Sequence, residues 1–398
     1  MSPVSRREML VAIYPRYRQA DRRAKALILN EFCAATGYHR KYAIGLLARP
    51  LEPRKRRRRV RWHRYGPEVI RLLSRIWQAA GYPWSVRLKA VLPLWLPWAR
   101  RRWQISPALE QQVVTMSPRT MDRALRPSKQ RLGRRLYGRT KPGSLLKHHI
   151  PVRTAAWTET RPGFAEMDLV SHSGNAADGE YIYSLNVTDI VTCWVETRAV
   201  LGKGQTGIVA ALAEIAAALP FALHGLDSDN GSEFINHHLV RFCRQRQIQF
   251  TRSRPYKKDD NAHIEQKNWT HVRKLLGWDR YDSSEALDAI NDLYRHELRL
   301  MMNLFQPTVK LQRKVRIGSR LQRVYTPAQT PVDRYLSHPD VPPQQARRLR
   351  ELRAQFDPFE LSNVIGRKLQ RIYQLANSRQ KLANSRQSPS APKCSAAA

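Results

Sequence analysis

The chain has 398 residues, 70 of them Lys or Arg and 32 Asp or Glu, for a formal net charge of +38. That length allows two or three domains, and that charge implies a polyanionic partner. Four scattered cysteines (Cys33, Cys193, Cys243, Cys394) without a CxxC pair argue against a disulfide framework and a cysteine zinc site. No apolar run nears the ~20 residues of a membrane span, and "MSPVSRREML" lacks a signal-peptide core, so the expected location is cytoplasmic, on the nucleoid.

In chain order, residues 1–53 read as helices. "ADRRAKALILNEFCAATGYHRKYAIGLLAR" carries apolar residues at helical spacing, breaks at Gly37 and resumes as a basic helix. Helix, glycine turn, basic helix is a helix-turn-helix pattern, and equally that of a small helical hairpin. "RKRRRRVRWHR" (54–64) then sets Arg54, Lys55, Arg56, Arg57, Arg58 and Arg59 in one arm, a candidate DNA-contacting linker. Residues 65–130 predict a second helix-turn-helix unit. "GPEVIRLLSRIWQAAGYP" opens with a proline and closes on Gly81, and Ser117-Pro118 starts a helix whose Arg119, Arg123 and Arg126 share a face suited to DNA. Residues 131–158 read as a basic linker.

From 159 to 305 the pattern changes. "FAEMDLVSHSG", "EYIYSLNVTDI" and "CWVETRAVLGK" are three strand-like runs, expected as an antiparallel meander. Helix and strand then alternate through "QTGIVAALAEIAAAL", "PFALHGLDSDN", "SEFINHHLVRFCRQRQ", "IQFTRSRP" and "DDNAHIEQKNWTHVRKLLG". The order β-β-β-α-β-α-β-α predicts an α/β fold, a mixed sheet with helices on its faces. "SSEALDAINDLYRHELRLMMNLF" closes the core as an amphipathic helix. Residues 306–375 form a basic, mainly helical C-terminal region whose last helices would serve dimerisation or DNA contact, and 376–398 a disordered tail that repeats "LANSRQ".

Net charge divides as +28 over 1–150, −3 over 151–300 and +13 over 301–398, so basic flanks enclose a carboxylate-bearing centre. Asp168 lies in the first strand, Asp229 at the turn after the fourth, and Glu265 in the first turns of the last core helix. Clustered carboxylates stay ionised when a cation neutralises them, and hard oxygen ligands select Mg²⁺ or Mn²⁺. Two such ions would serve an in-line phosphoryl displacement. Spacing alone leaves Asp227 open beside Asp229 and Glu166 beside Asp168, because residues two apart on a strand face the same way. Asn261, Glu265 and Asn268 share a helix face, with amides expected to touch DNA or orient a carboxylate. Lys257, Lys258, Lys267, Arg273 and Lys274 around this helix are candidate phosphate contacts. Trp269 and Val272 are expected in the core, and His263 and His271 are not needed as metal ligands.

Together "LVSHSG", "DSDNGSEF" and "HIEQKN" resemble the catalytic core of the retroviral-integrase superfamily, most closely the integrase-type transposases of bacterial insertion sequences. The resemblance spans roughly 160–335, and 35 residues separate Asp229 from Glu265 as in the family's D,D(35)E triad. It implies an RNase H-like core, catalytic and metal-binding roles for Asp168, Asp229 and Glu265, and metal-dependent cleavage and joining of DNA. It also implies element ends and target DNA as partners, on which the chain would form a homo-oligomer. A regulator that kept the fold without chemistry is the alternative, and the presence of all three acids speaks against it.

Overall fold

A computed structural model describes residues 1–51, 65–131, 159–175, 178–228, 234, 237–252, 262–317 and 320–376. The chain divides into two units, Met1–Arg64 and Tyr65–Ala398.

The first unit is three helices, α1 (Pro3–Gln19), α2 (Arg22–Thr36) and α3 (Arg40–Ala48). Asp21 caps α2 by accepting the Ala24 N–H at 2.7 Å, and Gly37 ends it at φ 72°, the left-handed conformation that glycine adopts without steric cost. Leu10, Leu29, Phe32, Ala43 and Leu47 form a small core of their own. The expected helix, glycine turn and basic helix are therefore present in α2 and α3. The arm 54–64, with Arg54, Lys55, Arg56, Arg57, Arg58 and Arg59, lies outside the described residues.

The second unit opens with α4 (Pro67–Ala79), α5 (Ser85–Arg102), α6 (Pro107–Thr115), α7 (Pro118–Ala124) and α8 (Arg126–Arg131). The prolines that begin α4, α6 and α7 sit where a helix has no use for an N–H, and Ser106 and Ser117 cap the last two. α5 contains "VLPLWLPWA" and runs through Pro93 and Pro97. Both prolines are exposed and four residues apart, so the missing N–H donors fall on the solvent side while Leu92, Trp95, Leu96 and Ala99 are buried. The single arginine-faced helix expected over 118–126 is instead two: α7 ends at Ala124 with Leu125 as its cap, and Arg126 begins α8. Pro127 explains the break, since it has no N–H to continue α7. Arg119, Arg123 and Arg126 are all exposed.

The core sheet has the order β3-β2-β1-β4-β5, from β1 (Phe164–Ser171), β2 (Ile182–Asp189), β3 (Val195–Leu201), β4 (Gly225–Ser228) and β5 (Gln249–Arg252). β1 to β3 form the antiparallel meander; β4 and β5 add on parallel to β1 after the helices α9 (Gln205–Ala218) and α10 (His237–Gln245). Every residue of β2 is buried, as expected of a strand covered on both faces. The described part of α10 starts at His237; Ser232, expected to begin this helix, lies outside the described residues. β4 approaches β1 closely because Gly225 has no side chain: a Cβ there would collide with the Phe164 ring. The backbone oxygen of Gly163 accepts N–H bonds from His224 and Gly225 at 2.7 and 3.0 Å and fixes the start of that pairing.

The last core helix, α11 (Ala262–Lys267), continues through a π-helical turn, Asn268–Arg273, into Lys274–Leu276. The closing helix Ser284–Leu293 likewise continues through π turns at Tyr294–Leu298 and Met301–Phe305. A hairpin of β6 (Leu311–Ile317) and β7 (Arg320–Tyr325) follows, then helices Pro331–Leu336, Pro343–Gln355 and Pro358–Gln374. These last helices are not free basic rods. Phe359, Leu361, Ile365 and Ile372 join one buried core with Leu73, Leu92 and Trp95 of α4 and α5 and with Leu185, Ile290 and Leu298. Segments 65–131, 159–305 and 306–376 thus share a single interior, in which the RNase H-like mixed sheet is clasped by helices from both flanks.

Candidate active site

The site is built where β1 and β4 run side by side. Their parallel register pairs Glu166 with Asp227 and Met167 with Ser228. Alternation puts Glu166 and Asp168 on one face of β1. Asp168 follows Met167 just as Asp229 follows Ser228, but Asp229 lies outside the described residues.

Glu166 and Asp227 are 1 % and 0 % exposed, whereas Asp168 is half-buried, so only the last has access to solvent. Their partners differ accordingly. Asp227 accepts the Thr251 hydroxyl at 2.5 Å, tying β4 to β5. Glu166 accepts the backbone N–H of Ile264 at 3.1 Å, and so anchors α11 over β1 next to Glu265. Glu265 is on α11, with its side chain outside the described residues.

The Asp168 carboxylate is held at both oxygens. Oδ1 accepts the Leu169 N–H at 2.8 Å, and Oδ2 accepts Asn268 Nδ2 at 2.5 Å. Asn268 Oδ1 in turn accepts Asn186 Nδ2 at 2.9 Å, and Asn186 Oδ1 accepts the Thr197 hydroxyl at 3.2 Å. A relay of three polar side chains therefore crosses β3 and β2 to the acid on β1, and each amide is oriented by the one behind it. Asn268, expected to touch DNA or orient a carboxylate, does the latter here. Asn186 escaped the sequence reading, although an amide inside "YSLNVTD", a run that is otherwise strand-like, was a visible signal.

The other residues of α11 divide between interior and surface. Lys267, expected at the DNA surface, is 4 % exposed, and burial pushes its pKa down to about 8. His271 is buried beside it and bonded through Nδ1 to the Thr270 hydroxyl, with burial first and the Lys267 charge second holding it neutral. Val272 is in the core as expected; Trp269 is not, being 37 % exposed. The π turn accounts for the difference, because its wider winding breaks the helical spacing on which that expectation rests. Arg273 lies over the Trp278 ring at 4.0 Å, and burial lowers its pKa to about 10 against the opposing pull of Tyr294 and Asp168. It brings a cation near the Asp168 carboxylate. Lys257, Lys258 and Asn261 lie outside the described residues, as does the side chain of His263.

The donor chemistry suits a hard divalent cation: a half-buried carboxylate with its orientation set, at the end of a strand pair that carries a second acid next in sequence. Among the described residues, no three His, Cys, Asp or Glu side chains gather as a metal-binding group. None of the described helices is long and apolar enough to cross a membrane.

The profile of the integrase core domain family matches residues 159–258, a span that contains Asp168 and Asp229 and stops short of Glu265. The uncharacterized protein y4rM of Sinorhizobium fredii is 41 % identical over 339 residues, covering 84 % of this chain and 96 % of that protein. The chain belongs to the integrase-core superfamily. Among solved structures, the catalytic core domain of BIV integrase matches at 15 % identity and a TM-score of 0.29, over 44 % of this chain and 93 % of that one. The HTLV-2 integrase catalytic core, solved in complex with magnesium as a dimer, matches at 15 % identity and a TM-score of 0.28, over 37 % and 90 %. A simian T-cell lymphotropic virus intasome in complex with a PP2A regulatory subunit matches at 15 % identity and a TM-score of 0.33, over 50 % and 62 %.

Proposed function

We propose that the chain is a DNA transposase with a D,D(35)E-type core, which cuts a phosphodiester at an element end and joins the freed 3′-hydroxyl to target DNA. One observation carries the reading. The strand bearing Asp168 and the strand leading into Asp229 are parallel neighbours in register, and α11, which bears Glu265, is bonded to that same strand pair through Glu166 and Asn268.

In this reading Asp168, Asp229 and Glu265 hold Mg²⁺ or Mn²⁺, two ions in all, which supply the positive charge that an in-line phosphoryl transfer requires. The chain's own contribution is preorganisation. Leu169 N–H and Asn268 hold the Asp168 carboxylate in one orientation, and Asn186 with Thr197 prevents the Asn268 amide from flipping. Glu166 fixes the start of α11, the helix that bears Glu265, against β1. Arg273 adds a cation that draws a phosphate backbone towards the acids. The helices of 1–53 and 65–130 and the arm 54–64 supply end recognition, with Arg119, Arg123 and Arg126 on the surface and Lys257, Lys258 and Asn261 beside the core as DNA contacts. Basic flanks of +28 and +13 around a core of −3 support that division of work.

The test is a cleavage and strand-transfer assay on a duplex carrying the inverted repeat that flanks the gene. Asp168→Ala, Asp229→Ala and Glu265→Ala each abolish both steps while the chain still binds the duplex, and Asp227→Ala retains measurable activity. Full activity in any of the first three variants overturns the assignment.

A further inference from the structure

The turn between α4 and α5 carries two large rings into solvent. Trp84 is 46 % exposed, the most of any described tryptophan, and Tyr82 is 44 % exposed. The turn that presents them is tightly held. The Tyr82 N–H donates to the Trp77 carbonyl at 2.9 Å, and the carbonyls of Ala80, Gly81 and Pro83 each accept from a different side chain. Those donors are Gln306 Nε2 at 2.8 Å, Lys274 Nζ, and Trp77 Nε1 at 3.0 Å. Beneath the turn, the Tyr82 ring meets the buried Trp77 ring edge to face, with centroids 5.0 Å apart.

The backbone is strained as well as fixed. Tyr82 has φ 62°, directly after Gly81 at 72°. Glycine adopts this left-handed region without steric cost, but a bulky aromatic residue does not, and strain of that kind clusters at ligand-binding sites. Cations flank the two rings. Lys274 is exposed and bound to the turn itself, and Lys129 of α8 lies 6.0 Å from the centroid of the Trp77 ring. Asp122 is taken up by Lys129 and by the Ser85 hydroxyl, both at 2.6 Å. Over residues 65–131, 12 Lys or Arg stand against 3 Asp or Glu. The centre of a protein–protein interface is depleted in lysine. Aromatic rings among cations are instead what single-stranded nucleic acid lies on, with its bases stacked and its phosphates neutralised.

The turn is also fastened to the helix of the candidate active site. Lys274 stands six residues beyond Asn268, which holds Asp168, on the continuous helix that begins with α11. At a helical rise that is ~9 Å along the axis.

We propose that Tyr82 and Trp84 form a stacking platform for unpaired bases of DNA beside the bond that is cut. Lys274 donates to the adjoining phosphate, since an ammonium has three N–H groups and Gly81 takes one. A base inside an intact duplex has both faces covered by its neighbours, so the platform separates a frayed end from a paired one. DNA as the occupant rests on the proposed function above.

The test measures binding of the full chain by anisotropy, in EDTA so that cleavage does not enter. One duplex is prepared fully paired and again with its terminal bases mismatched, one of them a fluorescent adenine analogue that dims on stacking. The wild type prefers the mismatched form by about 10-fold, and the analogue dims. Trp84→Ala lowers affinity for the mismatched form by about 10-fold, changes the paired form by less than about 2-fold, and leaves the analogue bright. Trp84→Phe, which keeps a ring, keeps most of the preference. Tyr82→Asn removes the other ring with a residue that tolerates φ 62°, and it too lowers the preference. Equal affinity of the wild type for both forms, or a preference that survives in Trp84→Ala, overturns the platform. Equal losses on both forms also overturn it and make the turn an ordinary duplex contact. Unchanged DNA binding with an altered sedimentation rate in Trp84→Ala overturns it in favour of a protein interface. Binding is read without catalysis, so a chain that prefers the mismatched end and cuts no DNA in Mg²⁺ refutes the transposase reading and leaves the platform standing.

Discussion

Asn268→Ala removes the amide that donates to Asp168 Oδ2 at 2.5 Å, and leaves Asn186 Nδ2 facing a gap. A hydrogen bond to a charged group contributes about 1.5–3 kcal/mol, and 1.36 kcal/mol in the barrier is tenfold in rate, so cleavage should slow by about 10- to 150-fold. Asn186→Ala leaves the Asp168 contact in place and removes only what orients the Asn268 amide. A neutral bond of about 0.5–1.5 kcal/mol sets its effect at about 2- to 10-fold. If Asn186 acts only through Asn268, the double variant is no slower than Asn268→Ala alone, a coupling that a double-mutant cycle isolates. The assay is single-turnover cleavage of an end-labelled duplex at saturating protein, so that binding does not enter. Additive losses in the double variant would show that the two amides work independently, and the relay would be refuted. An unaltered rate in Asn268→Ala would refute the orientation of Asp168 itself.

Chelation with EDTA should abolish cleavage, with Mg²⁺ or Mn²⁺ restoring it, and Ca²⁺ should permit DNA binding with little chemistry because its bonds are longer and its geometry looser; undiminished cutting in EDTA contradicts the metal reading. His172 is fully buried, bonded to Ser184 at 2.8 Å, and burial aided by the Arg273 charge pushes its pKa down to about 3. The folded pKa is depressed, so the stability tied to the neutral ring is complete above the unfolded value near 6.5 and is lost as pH falls towards 3. Between pH 7 and pH 5 this group alone should cost about 2 kcal/mol in urea unfolding, and His172→Phe should flatten that part of the profile; equal pH slopes would disprove it. Deleting 54–64 should flatten the salt dependence of binding and weaken all duplexes alike, whereas Arg119→Ala or Arg123→Ala should reduce discrimination between end and scrambled duplexes, both read by anisotropy titration.

Much of the fold was legible because its signals are local. Alternation in "EYIYSLNVTDI", helical spacing in "QTGIVAALAEIAAAL" and the turn residues between them are set by neighbours two to four positions away, and β1, β2, β3 and α9 lie where those patterns put them. Local patterns misled where a wider context decides. Pro93 and Pro97 lack the N–H that a helix interior uses, yet α5 accepts them because packing turns both towards water. Trp269 looked like a core residue until the π turn displaced it.

For the site, the sequence by itself determined which acids were candidates, through the spacing from Asp229 to Glu265 and the resemblance it carries. It could not separate Glu166 from Asp168, since a strand's two-residue period makes them equivalent. The tertiary structure gives the two different surroundings: Glu166 lies beneath α11 and accepts from its backbone, while Asp168 is half-buried. The same holds for Asn186 and Asn268, which lie 82 positions apart and mean nothing singly. Their roles come from long-range contacts, and the energy of burying a charge or orienting an amide depends on neighbours that only the completed fold supplies.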